Sequence, residues 1–159
     1  MTRRSGQPTT QTGLPGVGRE AQDRIRAAIV NSGEQWPVQI TVSLPTERGS
    51  RADLAIAVSV LAAAGAVPAV ALAGVMFCAE LGLDGRLRPV PSVQAAVVAA
   101  AAHRGFRTVM VAAENAAEAA LVPGVRVIAA QTFTEVTAWL RSGSADMLVV
   151  HDERDLFPR

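Results

Sequence analysis

Five stretches of the chain carry the residue pattern of α-helices. In residues 19–31, apolar side chains recur every three or four positions, which predicts an amphipathic helix that Gly33 ends. Its polar face holds Arg24, which we expect to point into solvent. Asp53 and Ser92 are each suited to cap the helix that follows them. The other predicted helices are residues 53–64, 93–104, 114–121 and 134–141.

Alternation and short apolar runs predict the strands. Apolar and polar side chains alternate through residues 38–44, as in a strand with one buried face. The clearest hairpin signal is Asp84-Gly85, because Asp-Gly supplies the positive φ angles of a tight turn between residues 76–83 and 86–90. Strands and helices alternate, which predicts one α/β domain with an inserted antiparallel hairpin. Short apolar runs predict further strands at residues 108–111, 125–129 and 147–150.

One uncharged run is long enough to cross a membrane. Residues 54–79 contain no charged side chain, and a bilayer needs about 20 apolar residues. Alanine dominates this run, Gly65 and Pro68 interrupt it, and its flanks lack the basic bias of a cytoplasmic anchor. We therefore favour a buried helix, a turn at residues 65–68 and a buried strand, and expect no membrane partner.

Composition removes several chemistries. All 15 basic residues are arginine, so the chain has no lysine for a P-loop, a Schiff base or a Ser–Lys dyad. Tyrosine is also absent. The net charge of +1 leaves DNA binding unsupported by charge. The single cysteine, Cys78, excludes an internal disulfide and fits a reducing compartment, which predicts a cytoplasmic protein.

Residue types alone give only weak candidate sites. The glycine-rich residues 13–18 lack the preceding strand and the spacing of a dinucleotide-binding loop, so we interpret them as a turn. His103, His151 and Cys78 show no metal-ligand spacing, which predicts no metal site. Ser50 precedes a helix, but a nucleophilic serine needs a base within hydrogen-bond reach. Neither histidine is an obvious partner, and we interpret Ser50 as a local cap.

Four arginines in the second half of the chain allow two interpretations. They either gather on one edge to contact a phosphate or a carboxylate-bearing partner, or are scattered over the surface. The low net charge favours the second interpretation. The four residues are Arg86, Arg88, Arg104 and Arg107.

Several motifs, in order along the chain, resemble one family. Over residues 13–141 the chain is similar to the N-terminal Lon-protease-like domain of the YifB/ComM family of magnesium-chelatase-like AAA+ ATPases. The resemblance implies an α/β two-layer sandwich of the Lon protease-like type, shared with GHMP kinases and gyrase transducer domains. The segments that carry it are residues 13–15, 22–33, 39–42, 49–57, 80–90 and 113–119. The candidate motif positions within them are Gly49, Asp53, Glu80, Asp84, Gly85, Glu114 and Asn115.

In this family the Lon-like domain precedes an AAA+ module, and ComM-type members are hexameric motors that promote DNA branch migration during natural transformation. The resemblance implies self-association or an AAA+ partner, with ATP and Mg²⁺ bound only by that module and no cofactor in this chain. The chain has no Walker motif, so we expect a fragment, a truncated product or a stand-alone relative. Residues 1–12 are expected to be a flexible lead-in, too short for the family's first strands, and residues 142–159 a last strand and polar tail or linker.

The residues at the Lon catalytic positions differ from a Ser–Lys dyad. Alignment with Lon proteases places Arg51 at the serine position, with Ser50 one residue early, and Gln94 at about the lysine position. A glutamine cannot take a proton from serine at neutral pH. We therefore predict a non-catalytic Lon-like domain that serves in assembly or regulation. The alternatives are a degenerate Lon-like serine hydrolase that uses Ser50 and a small α/β ligand-binding protein.

Overall fold

A computed structural model of the protein describes residues 14, 17–37, 49–102, 105–143 and 149–151. Short 3-10 turns at Ser50–Ala52, Ala69–Leu72 and Ala113–Asn115 connect some of its elements. The helices are α1 Arg19–Asn31, α2 Asp53–Ala63, α3 Val93–Ala102, α4 Ala116–Ala119 and α5 Phe133–Ser142. The strands are β1 Val75–Cys78, β2 Glu80–Leu81, β3 Leu87–Arg88, β4 Thr108–Ala112, β5 Arg126–Ala130 and β6 Val149–His151.

The main sheet has the strand order β1-β4-β5-β6. Parallel pairing aligns Val75 with Thr108 and Thr108 with Arg126, while β6 runs antiparallel to β5. These strands confirm the predictions for residues 108–111 and 125–129, and β6 confirms part of the last predicted strand. The strand predicted at residues 38–44 lies outside the described residues.

Helices cover both faces of this sheet. Along β4, Met110 joins a core that includes residues of α1, α2 and α5, whereas Val109 joins a second core with residues of α3 and α4. The period of two in a strand sends neighbouring side chains to opposite faces, and so creates the two cores. The α/β class is therefore confirmed.

The hairpin predicted at Asp84-Gly85 is present, with shorter strands than expected. Only β2 and β3 pair with each other, because β1 joins the parallel sheet instead. The Gly82 amide donates to the Arg86 carbonyl at 2.8 Å, and Gly85 has a φ of +87°. A Cβ on Gly85 would lie 2.5 Å from Ser32 Oγ, so the turn is pressed against the end of α1.

The uncharged run of residues 54–79 folds into α2, a 3-10 turn and β1, as the preferred interpretation predicted. Within the described ranges, no helix is both long and apolar enough to cross a membrane.

The predicted cap at Ser92 is wrong. Its φ of +58° differs from the extended backbone of an N-cap residue. A side chain distant in sequence serves this helix end instead, since the Gln94 amide donates to Glu118 Oε1 at 3.1 Å.

Candidate functional site

A buried ion pair lies at the start of α2. Arg24 Nε donates to Asp53 Oδ2 at 2.7 Å, and Arg24 Nη2 donates to Asp53 Oδ1 at 2.8 Å. The Leu81 amide also donates to Asp53 Oδ2, at 3.1 Å. Asp53 is only 1% exposed, and the Arg24 side chain is 23% exposed. One carboxylate therefore joins α1, α2 and β2.

This geometry corrects two predictions. Arg24 does not point freely into solvent, and Asp53 is no helix cap, because its carboxylate binds groups from two other elements. The hydrogen bond to Asp53 raises the pKa of the Arg24 guanidinium, outweighing burial, which lowers it. The guanidinium of Arg24 therefore stays charged in the folded protein across the ordinary pH range.

Ser50 lies in a small pocket beside this ion pair. Gly49 occupies the N-cap position of the turn that Ser50 begins, and no side-chain cap bond is formed there, so the predicted cap at Ser50 is wrong. Among the residues that line the pocket, the ionisable ones are Arg24 and Asp53. Because these two bind each other through both carboxylate oxygens, the described lining of the pocket offers Ser50 no free base.

Arg51 lies in different surroundings from Ser50. It lines an apolar groove that runs along β1 between α2 and α3. Half of the lining residues are alanines, and the others include Met76, Phe77 and Cys78 from β1 and Phe106 before β4. Arg51 is the charged residue of this lining, and its carbonyl accepts the Ala79 amide at 3.1 Å.

Gln94 lies in the first turn of α3 and is exposed. It lines neither the Ser50 pocket nor the Arg51 groove. The three positions aligned with the Lon dyad therefore do not share one pocket.

The other candidate motif residues hold the hairpin and its surroundings in shape. Glu80 lies opposite Arg88 in the β2–β3 pairing. Asp84 Oδ1 accepts the Arg86 amide at 3.1 Å. Asn115 is buried and binds the backbone of Val90 twice, accepting its amide at 2.8 Å and donating to its carbonyl at 3.1 Å. Glu114 lies in the turn before α4 and is exposed.

Three of the four arginines, Arg86, Arg88 and Arg107, lie in the described residues, and these three do not gather in one place. Arg86 and Arg88 belong to the hairpin, which pairs with Thr132 beyond the carboxyl end of β5. Arg107 directly precedes β4, at the opposite, amino end of the parallel strands. The five residues of β4 separate the two ends by about 16 Å at the usual strand rise. Arg104 lies outside the described residues, as does His103.

The part of the chain that the structure describes contains no candidate metal site. No group of three or more His, Cys, Asp or Glu side chains there could hold an ion.

Cys78 is expected to react slowly with alkylating reagents. Burial raises the pKa of its thiol, and the charge of Arg51 opposes this only in part. A raised pKa lowers the thiolate fraction at a given pH, so alkylation by iodoacetamide at pH 8 should be at least about tenfold slower than in the guanidinium-unfolded chain.

The control for this prediction is Arg51→Gln. Removing the positive charge should raise the thiol pKa further and slow alkylation again, with the rate recovering at higher pH. Equal rates for the folded and unfolded chains would contradict a buried thiol.

The sequence of the chain is similar to a known family and to several known proteins. The family profile that matches residues 1–115 is described as subunit ChlI of Mg-chelatase. The competence protein ComM of Haemophilus influenzae is 39% identical over 137 residues, covering 82% of this chain and 26% of that protein. The uncharacterized protein YifB of Escherichia coli is 36% identical over 142 residues, covering 86% of this chain and 28% of that protein.

An uncharacterized protein of Mycobacterium tuberculosis is 38% identical over 147 residues, covering 84% of this chain and 29% of that protein. The chain thus spans less than a third of the length of the curated relatives it matches.

Proposed function

We propose, because the chain belongs to the family of subunit ChlI of Mg-chelatase, that it acts as a non-catalytic assembly or regulatory module. It would have the Lon protease-like fold and work with an AAA+ module of the ComM/YifB type. ATP and Mg²⁺ would be bound by that module and not by this chain. The relative ComM is named as a competence protein. From the family resemblance, we propose that the whole protein takes part in DNA branch migration.

The non-catalytic part of the proposal rests on the hydrogen bonds of Asp53. A serine nucleophile needs a base that can accept its proton. Among the described residues that line the pocket of Ser50, the acidic one is Asp53, and its two oxygens already accept three hydrogen bonds from Arg24 and Leu81. With both oxygens committed to these partners, the carboxylate is not free to accept the proton of Ser50.

The residues at the dyad positions support the same conclusion. The Gln94 amide has no basic nitrogen at neutral pH, and a guanidinium such as that of Arg51 offers N–H donors but no acceptor, so neither side chain replaces a lysine base or a serine nucleophile. Arg51 and Ser50 also face different pockets, so they could not act on one substrate atom together. We infer that this helix start serves as a structural junction between α1, α2 and the hairpin.

Active-site labelling tests the non-catalytic part of the proposal. We expect the intact mass of the chain to stay unchanged after incubation with a fluorophosphonate probe under conditions that label a known serine hydrolase completely. An adduct that disappears in Ser50→Ala would overturn the proposal and favour a degenerate hydrolase. The same variant should keep the melting temperature of the wild type, since no side-chain cap bond would be lost.

Reconstitution tests the module part. Two proteins are compared. One is the portion of Escherichia coli YifB outside the matched segment, expressed alone, and the other is the same portion fused to this chain. We expect the chain to change the ATP hydrolysis rate or the oligomeric state of that portion. Identical rates and identical sedimentation with and without the chain would contradict a regulatory or assembly role.

A further inference from the structure

The groove along β1 has the chemistry of a receptor for an apolar side chain that lies next to a carboxylate. Besides Arg51, its lining consists of small alanine side chains from α2, α3 and the turn before α2, together with Met76, Phe77, Cys78 and Phe106, which leaves room between the helices for a larger side chain. Arg51 is the cation of this lining. Among the described residues, the ion pairs do not involve Arg51. An apolar groove with one unpaired cation favours an apolar group with a neighbouring anion.

The tip of the β2–β3 hairpin presents such a pair of groups. Leu83 is 60% exposed, and the side chain of the next residue, Asp84, is 62% exposed. An exposed leucine at a tight turn gains free energy when a groove covers it. The contact between Asp84 and Arg86 is long, at 3.7 Å, and exposed, so it leaves the carboxylate available to another cation.

We propose that the hairpin tip of one copy of this chain binds the groove of a second copy, with Leu83 in the groove and Asp84 facing Arg51. This contact rests on the proposed role in assembly and names the surface through which neighbouring copies meet.

The contact must form between two molecules. The Asn31 side chain donates to the Leu83 carbonyl at 2.6 Å, and Gly85 lies against Ser32, so the tip is held at the end of α1. It therefore cannot fold back into the groove between α2 and α3 of its own chain. Because the tip and the groove are different surfaces, the contact is heterologous. Repeated contacts of this kind close into a ring when the rotation between copies permits it.

The contact is small, so the isolated chain should associate weakly. A single leucine and one ion pair bury far less than the roughly 1,200 Å² of a stable interface. We expect reversible association at high micromolar concentration, weakened by added salt because the ion pair is screened.

Sedimentation velocity over a concentration series tests the contact. Arg51→Glu and Asp84→Arg should each weaken association about tenfold, the equivalent of one ion pair worth about 1.4 kcal/mol. The double variant with both reversals should restore association, because the charges are again opposite. Asp84→Asn is the gentler variant, since its amide oxygen can still accept the Arg86 amide that holds the turn.

The apolar half of the contact has a matched control. Leu83→Ser should also weaken association about tenfold, whereas Leu121→Ser should not, although Leu121 is 68% exposed. Circular dichroism melts of every variant separate loss of contact from loss of fold.

Two results would overturn the contact: a chain that stays monomeric at all concentrations, or association that ignores Arg51, Leu83 and Asp84. Neither result would affect the tests with the fluorophosphonate probe or with the YifB portion. Failure of this surface is thus distinguishable from failure of the proposed function.

Discussion

Replacing Asp53 with alanine should lower the free energy of unfolding by about 3–5 kcal/mol, the usual cost of removing one partner of a buried ion pair. The substitution leaves the Arg24 guanidinium partly buried without its carboxylate and the Leu81 amide without its acceptor. For a chain of this length, the loss corresponds to a drop in melting temperature of roughly 6–20 °C.

Thermal and urea unfolding measure this effect. The matched control is Asp23→Ala, because Asp23 lies one position before Arg24 on the same helix and is exposed. Its substitution should change stability by less than about 0.5 kcal/mol. A loss below about 1 kcal/mol for Asp53→Ala would mean that the pair contributes only as much as an exposed one.

Two further variants separate charge from geometry. Arg24→Lys keeps the charge but cannot donate through two nitrogens in a planar fork, so it should lose a large part of the stability. The double variant Arg24→Met with Asp53→Leu removes both charges. It should be more stable than Asp53→Ala, because no buried charge is left unpaired.

Local patterns predicted most of the secondary structure. The apolar spacing of residues 19–31 gave the bounds of α1, and Asp84-Gly85 located the hairpin turn. Both signals depend on residues within a few positions of one another, so the sequence alone carries them. The short apolar runs that became β4 and β5 were also recognisable, because strands with both faces covered are apolar throughout.

The features that the sequence missed depend on residues far apart in the chain. Arg24 and Asp53 are separated by 29 positions, and each alone has the features of an ordinary exposed or capping residue. Their only signal is that Asp53 directly precedes a long uncharged run and Arg24 adjoins the apolar face of α1. Similarly, the sequence predicts residues 76–83 as one strand of the hairpin. An alternating pattern does not specify the partner of a strand, so it does not show that β1 pairs with β4.

Composition predicted which chemistry the candidate site lacks, but the sequence did not predict where its residues lie relative to one another. Because the chain has no lysine, composition alone already excludes a Ser–Lys dyad within it. Pattern analysis did not indicate that Ser50 and Arg51 face separate pockets, because that outcome depends on the 3-10 turn of Ser50–Ala52. The separation of Arg107 from Arg86 and Arg88 agrees with the favoured interpretation of scattered arginines, but the pattern could not place these residues, since the strand direction decides at which end of the sheet a residue lies.

The second large effect is expected at Asn115, where replacement with alanine should cost about 2–4 kcal/mol. The Asn115 amide is buried and satisfies both the amide and the carbonyl of Val90, which is itself buried. Alanine leaves both backbone groups without a partner, and each unpaired buried group costs about 1–3 kcal/mol. Glu114→Ala, next to it but exposed, is the matched control and should change stability little.

Asn115→Asp adds a pH test of the same two hydrogen bonds. The introduced carboxylate can accept the Val90 amide, but only its protonated form can donate to the Val90 carbonyl. Burial and the facing carbonyl should therefore raise the pKa of the introduced group above the ordinary value for aspartate, about 3.9. A group with a raised folded-state pKa stabilises fully below its unfolded pKa, and that contribution is lost as pH rises through the folded one. The stability deficit of this variant relative to the wild type should thus be smallest near pH 4 and largest at pH 7. A deficit that stays constant over this range in urea unfolding would contradict a buried, two-bond role for Asn115.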